Sequence, residues 1–423
     1  MIETIDGSFA PLSFATRAPG EGGIAVRLRN NNDFSYLASV LMGTPPQQIQ
    51  MAASLSQNFI SVASPPPGVN DVSFYNPSTS TSYAPGNATA AVQAISGGTV
   101  QGHFAGEICA LKSATSALSF TYNASVLITD SAVTNDLYPL DARAILGYGV
   151  GAPTSAPAGS SLIGTFLPAN FTNAVCGIEL NHMDDPFPDG ILTMGAVDPT
   201  VFTGAFTNVI VPQDSPTSWS IPFDTLTYLA KGLNQSVPGI LSSVDIYHTG
   251  IKLTSDLARQ IYSGIQDSKP ISETLWSIPC TSKFPLTLSF AGQSFTIYER
   301  DTIVKQADGS CTGVVTGGAN DIGQIGAPFL RNVYTQFGAD KASDGSVTFS
   351  VGFAAKNLRQ VTATSSATGK PISTVGPTAT APAIQSSAST TGTGIQSSAP
   401  RMLVRNFGLV LVAVIVLVAP TVL

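Results

Sequence analysis

Residues 36–64, YLASVLMGTPPQQIQMAASLSQNFISVAS, constrain the fold more than any other stretch of the chain. Leu37, Ser39 and Leu41 alternate with Tyr36, Ala38, Val40 and Met42, a period of two that belongs to a strand. Gly43-Thr44-Pro45-Pro46 then turns the chain, because Gly accepts unusual backbone angles and Pro pre-sets φ. A second strand is expected through Ile49, Met51 and Ala53. The polar loop Ser54-Leu55-Ser56-Gln57-Asn58 follows, and then the apolar run Phe59-Ile60-Ser61-Val62. Elsewhere, short alternating runs broken by Gly, Pro and Asn are many and amphipathic helical patterns are few, so the chain reads as mostly β.

A length of 423 residues suits two or three domains of about 100–200 residues each. Charged residues make up only 11% and the formal charge is −7, with no Lys/Arg run, so nucleic acid is not an expected partner. The three histidines fall in unrelated segments and the four cysteines form no CxxC pair, so no metal site is expected, and no cofactor motif occurs. Asn87, Asn123, Asn170 and Asn234 each begin an N-x-Ser/Thr sequon. Four sequons with an even cysteine count favour the secretory pathway and an oxidising compartment. Residues 1–20 lack the basic start and long apolar core of a signal peptide, so an incomplete start is expected.

Composition shifts to Ser, Thr, Ala, Gly and Pro between Thr362 and Pro400, almost without charge. Such a segment buries too little apolar surface to offset its ordering entropy and reads as an extended, O-glycosylated stalk. Phe407 to Leu423 are uncharged and mostly apolar, and small residues precede them at Ser397-Ser398-Ala399 and Gly392-Thr393-Gly394. Small triplet, short spacer and apolar tail form a GPI-anchor signal with Ser397 as the candidate attachment residue; a plain transmembrane tail is the alternative.

Gly43-Thr44-Pro45-Pro46-Gln47 and the strands around it resemble the N-terminal active-site region of the pepsin-like aspartic proteases (peptidase A1). Further landmarks follow in the family's order. Residues 95–102 resemble the flap hairpin, with Ile95 in the place of the flap Tyr, and Ala144 to Gly149 resemble the strand beneath the first active-site loop. Gly190 to Asp198 with Phe202-Thr203-Gly204 resemble the lobe crossing, and Trp219-Ser220-Ile221 the opening of the second lobe. Asp245-Ile246-Tyr247-His248-Thr249-Gly250 comes where a second Asp-Thr-Gly is expected, before a helix capped by Thr254 or Ser255. Gln324 to Arg331 resembles the family's closing motif, followed by strands at Val333 to Phe337 and Phe349 to Phe353.

The resemblance implies a bilobal, mostly β fold with a central cleft. It divides the chain into an N-terminal segment (1–32), a first lobe (33–212), a second lobe (213–355), a stalk (356–400) and the anchor signal or membrane tail (401–423). It also implies a Cys280–Cys311 disulfide; with that pair taken, Cys109 and Cys176 are expected to join each other.

In this family one Asp from each lobe shares a proton, one acting as base on water while the other polarises the substrate carbonyl. Counting from the Gly-Thr-Pro turn, Ser54 takes the first Asp place, and no Asp or Glu occurs between Asp33 and Asp71. In the second loop Thr249-Gly250 survives, which puts His248 in the Asp place. Ser56, Gly97, Thr249 and Gly250 are the remaining cleft candidates. The expectation is therefore a surface-anchored, monomeric family member that lacks both aspartates and no longer cuts, with a cleft suited to an extended peptide or wall polymer. The alternatives are an active peptidase, through Asp245 or through a Ser54–His248 pair, and a purely structural surface glycoprotein. His248, semi-buried between lobes, would change charge in the acidic range and make the cleft responsive to pH.

Overall fold

This computed structural model describes residues 23–357 apart from 66–72, 94–98, 115–118, 130–141, 151–170, 172, 213–217, 231–232, 307 and 321. The stalk, the tail with Ser397, the sequon at Asn170 and the flap positions Ile95 and Gly97 lie outside the described residues.

The opening hairpin forms as the alternation predicts. β2 (Ser35–Met42) pairs antiparallel with β3 (Gln47–Ser54), and Met42 stands opposite Gln47. Gly43 turns at φ +86°, in the left-handed region that favours glycine. Both faces of β2 are used. Tyr36, Ala38, Val40 and Met42 enter the main core, while Leu37 packs in a second cluster with Ala52, Phe59, Phe104, Leu127 and Ile145. Each fully buried aliphatic or aromatic side chain contributes about 1.5–3 kcal/mol of transfer free energy.

β1 (Ile24–Asn31) lies between β2 and β10 (Gly190–Met194), so residues 24–31 are part of the sheet of the first half. Arg27 and Arg29 point to solvent while Val26 and Leu28 are buried, which is the alternation of a half-buried strand. β4 (Ile60–Ala63), β5 (Ala84–Gln93), β6 (Thr99–Lys112), β7 (Ser119–Thr129), β8 (Ala144–Gly147), β9 (Val175–Glu179) and β11 (Phe202–Ile210) complete the strands of this half. One thirteen-stranded sheet runs β11, Val347–Lys356, Val333–Lys341, β9, β10, β1, β2, β3, β8, β4, β7, β6, β5. Next to its β11 edge, the C-terminal strands Val347–Lys356 and Val333–Lys341 join the N-terminal half, Thr335 facing Ile178 and Phe337 facing Cys176. Lys356 still belongs to the last strand, so the stalk cannot begin there. β5 and β6 pair as a hairpin, Gln93 opposite Thr99, on either side of the flap tip.

The second half is built from smaller sheets. One joins Ser220–Pro222, Leu241–Val244, Gly323–Ile325, Ile251–Lys252 and Val315–Thr316. Another joins Leu233–Pro238, Thr225–Ala230, Leu286–Phe290 and Gln293–Ile297. The helix Ser255–Ser263 starts as expected, its cap Thr254 accepting from the Leu257 N–H, and it buries Ala258, Ile261 and Tyr262. Trp219 packs edge-on against Phe337 at 4.8 Å between ring centroids, and its Nε1–H donates to the carbonyl of Tyr148 at 2.9 Å, tying the two halves. This is a bilobal pepsin-like β fold.

Cys280 and Cys311 form a disulfide with a sequence separation of 31 residues, worth about 3–4 kcal/mol in the chain-entropy picture. Cys109 and Cys176 do not pair; both are free and buried. Cys109 sits on β6, opposite Met42 of β2, and Cys176 on β9, opposite Met194 of β10. β10, β1 and β2 lie between them in the sheet, a separation on the order of 15–20 Å at about 4.8 Å per strand. A disulfide spans no more than about 7 Å between Cα atoms.

Candidate active site

Each half of the molecule presents one loop of the same construction. In the first half β3 ends at Ser54 and runs parallel to β8, with Ser54 opposite Gly147. The Tyr148 N–H donates to the Ser54 carbonyl at 2.7 Å, and the Gly149 N–H to the Gln57 carbonyl at 2.7 Å. A Cβ on Gly147 would stand 2.5 Å from the Gln57 oxygen and 2.4 Å from that of Phe59. Only glycine lets the strand pass so close beneath the loop.

In the second half the strand Leu241–Val244 runs parallel to Gly323–Ile325, with Val244 opposite Ile325. The Asp245 N–H donates to the Ile325 carbonyl at 3.0 Å, and the Ala327 N–H to the His248 carbonyl at 2.8 Å. A Cβ on Gly326 would stand 2.1 Å from the His248 oxygen and 2.6 Å from that of Gly250. In both loops the glycine beneath meets two carbonyls two residues apart: those of Gln57 and Phe59, three and five residues after Ser54, and those of His248 and Gly250, three and five residues after Asp245. That register pairs Ser54 with Asp245, and Gln57 with His248.

The assignment of His248 to the second Asp position is therefore corrected: the residue that faces Ser54 is Asp245. The Leu55 N–H donates to Asp245 Oδ1 at 2.7 Å, the Tyr247 N–H donates to the same oxygen at 3.1 Å, and Ser54 Oγ donates to Oδ2 at 3.4 Å. Ser56 adds a side-chain bond to the same carboxylate, and its Oγ lies 3.1 Å from that of Ser54. The Ser56 and Gln57 N–H groups point back at Ser54 Oγ, at 3.3 and 3.4 Å. Ser54 is 2% exposed and Asp245 5%. Burial pushes the Asp245 carboxyl up; the bonds from Ser56, Leu55, Tyr247 and Ser54 oppose this and only partly cancel it.

His248 lies three residues beyond Asp245, and its carbonyl accepts from the Ala327 N–H. Its Nε2 is out of solvent and finds no hydrogen-bond partner among the described residues. Burial, aided by the Lys252 charge, pushes the imidazole down to about 4. Thr249 is half-buried, and a Cβ on Gly250 would stand 2.8 Å from the Val314 carbonyl oxygen.

Two fully buried aliphatics, Leu55 and Ile246, occupy the same place in the two loops and share one core cluster. The absence of Thr-Gly after Asp245 is thus the same departure that the first loop shows with Leu55-Ser56. That repetition was the available signal for Asp245 in the sequence.

The sequence profile described as "Eukaryotic aspartyl protease" matches residues 35–349. The chain belongs to this family. Among its relatives, the "Probable aspartic-type endopeptidase CTSD" of Arthroderma otae is 31% identical over 176 residues, 40% of this chain and 45% of that protein. The "Aspartic-type endopeptidase ctsD" of Aspergillus fumigatus is 25% identical over 212 residues, 48% of this chain and 43% of that protein. The "Major aspartyl peptidase 1" of Cryptococcus neoformans var. grubii is 24% identical over 177 residues, 37% of this chain and 35% of that protein. The chain spans less than half the length of these relatives.

Within this aspartyl protease framework the Asp245 carboxylate meets two hydroxyls, those of Ser54 and Ser56, and no second carboxylate among the described residues. A single carboxylate of raised pKa is a hydrogen-bond donor to a carbonyl when protonated and a proton acceptor when ionised, but not both at once. Three of the sequon asparagines, Asn87, Asn123 and Asn234, lie on exposed strand positions. No helix among the described residues is long and apolar enough to cross a membrane.

Proposed function

We propose that this aspartyl protease family member is a surface-anchored protein whose cleft holds an extended peptide or polymer without hydrolysing it. One observation carries the reading: Ser54 stands where the carboxylate facing Asp245 would be needed, 3.4 Å from Oδ2. Peptide hydrolysis on this framework needs a base for water and an acid for the carbonyl at the same moment, and a serine hydroxyl supplies neither at acidic pH. Residues that act as a unit lose nearly all of the rate when one is removed. Protonated Asp245 retains the ability to donate to a backbone carbonyl. Strand-lined clefts grip extended chains by main-chain hydrogen bonds.

Surface anchoring rests on the Ser/Thr-rich segment and apolar tail read from the sequence, and on a disulfide and exposed sequons that suit an oxidising, glycosylating route. The test is incubation of the full chain with a mixed peptide library from pH 3 to 7. The expected outcome is retention of peptides on the immobilised chain with no new termini by mass spectrometry. Cleavage that disappears in Asp245→Asn would overturn it and assign an active peptidase working from Asp245. Absence of both cleavage and retention would assign a purely structural role.

A further inference from the structure

A second cluster of ionisable groups lies away from Ser54 and Asp245. His182 follows β9 and is buried, its side chain 6% exposed. Its two ring nitrogens face two carboxylates that come from opposite halves of the chain. Nε2 lies 2.9 Å from Oδ2 of Asp301, and Nδ1 lies 3.5 Å from Oδ2 of Asp33. Asp301, in the short helix Glu299–Thr302, has a side chain that is 0% exposed and takes a forked pair from Arg331, with Nε and Nη2 both at 2.7 Å from Oδ1. Arg331 Nη1 also reaches the Asp33 carbonyl at 3.1 Å, which closes a ring of contacts.

We propose that Asp33, His182, Asp301 and Arg331 form a pH-responsive clasp that joins the turn before β2 to the second lobe, closed in acid and released toward neutrality. The proposal does not depend on what the cleft binds.

Hydrogen-bond capacity supplies the argument. Only the imidazolium donates from both nitrogens; neutral imidazole has one N–H and one lone pair. Once His182 loses its proton, one of the two contacts becomes a lone pair facing a carboxylate oxygen. Charge balance runs the same way. Two cations face two anions with His182 protonated, and one cation faces two anions without it. Asp301 then keeps Arg331 and the Asn332 side chain, which donates at 2.7 Å. The link given up is the one to Asp33, which retains Asn30 and the Met183 N–H on its own side.

The other charged and titratable groups around His182 are already engaged. Asp185 accepts the His182 N–H and pairs with Arg300. Lys356 donates to the Leu180 carbonyl, Asn181 Oδ1 and the Arg331 carbonyl, and feels the charge of Glu179. Tyr36 donates its hydroxyl to the Asn181 carbonyl.

The ionisation equilibria agree. Burial pushes His182 down, but the bonds to Asp301 and Asp33 outweigh it and hold the imidazole above its ordinary value. Burial pushes Asp33 up, and the bonds from His182 and Asn30 with the Arg331 charge hold it down at about 2. A raised histidine stabilises the fold fully below its unfolded value of about 6.5, and the contribution is lost as pH rises through the folded value. A depressed carboxylate stabilises above its unfolded value of about 3.9 and fails as pH falls through 2. Both are in place between about pH 4 and 6.5.

The experiment compares thermal unfolding of the full chain with that of its His182→Gln and Asp33→Asn variants at pH 5 and pH 8. At pH 5 the expected loss of Tm is about 2–5 °C for either variant; at pH 8 it closes to under about 1 °C for His182→Gln, and shrinks without vanishing for Asp33→Asn, whose carboxylate still accepts from Asn30 and the Met183 N–H. An equal loss at both pH values means that His182 only fills space, and overturns the proposal. If His182→Gln does not fold, the ring of His182, one of three histidines in the chain, is titrated by NMR in the unmodified protein. A midpoint above about 6.5 is expected, and one at or below it overturns the clasp.

Discussion

Ser54 is surrounded by the donors that a carboxylate in its place would use. The Ser56 and Gln57 N–H groups already point at its Oγ, as the Tyr247 N–H points at Asp245. Ser54→Asp is therefore expected to find its hydrogen bonds waiting and to sit against Asp245, where two carboxylates share one proton. We predict that this variant cleaves peptides at acidic pH about 10²–10⁴-fold faster than the unmodified chain, the range a positioned acid–base group supplies. His248→Asp is predicted to gain nothing, because Asp245 and not residue 248 is the group bonded to Ser54 and the Leu55 N–H. Fluorogenic peptide assays between pH 3 and 6 check both, and the reverse ranking of the two variants would contradict the register given for the second loop. At this scale the sequence was legible for Ser54, which a short count from Gly43-Thr44-Pro45 reaches. It misled at Asp245 because a surviving Thr-Gly dipeptide drew the alignment three residues on. The carbonyl contacts that fix the register depend on a strand eighty residues away.

The two glycine-bearing strands are the elements that hold the loops in place. A Cβ on Gly326 would meet the His248 oxygen at 2.1 Å, a backbone atom that cannot rotate away. Gly326→Ala is predicted to destabilise the fold by about 2–4 kcal/mol, the upper part of the range for single substitutions that force backbone shifts. Chemical denaturation reads the loss, and an effect below about 0.5 kcal/mol would show that the loop yields. The first strand was visible as the apolar-apolar-Gly run Ile145-Leu146-Gly147, the second through Gln324-Ile325-Gly326 of the closing motif, and the helix after the second loop from its Thr254 cap and apolar stripe. β1 was missed although Val26-Arg27-Leu28-Arg29 alternates cleanly, because the Gly-rich residues before it set the reading of the whole segment. The Cys109–Cys176 pairing failed for a topological reason: an even count carries no information about which strands lie between two cysteines.

Across the whole molecule, the order of landmarks along the chain conveyed the bilobal architecture, since each marks a place where backbone must turn or pass closely. What the order did not convey is how residues 333–356 return to the N-terminal half. That return brings Arg331 and Asp301 to His182 and Asp33, contacts that span 30 to 298 residues of sequence. No local pattern announces such a cluster. The same central sheet buries Cys109 and Cys176, each 0% exposed and each with its thiol pushed well up by burial. Thiolate, not thiol, reacts with alkylating reagents, and neither sulfur meets solvent while the sheet is intact. The native chain is predicted to resist alkylation at both positions and to take up two equivalents once unfolded with its disulfide kept. Labelling of the folded chain at the rate of a free thiol would contradict the burial. The two sulfurs thus act as a clock built into the sheet: the slow rate at which they are marked counts how often the first half and the strands joining it to the second come open, with no probe attached.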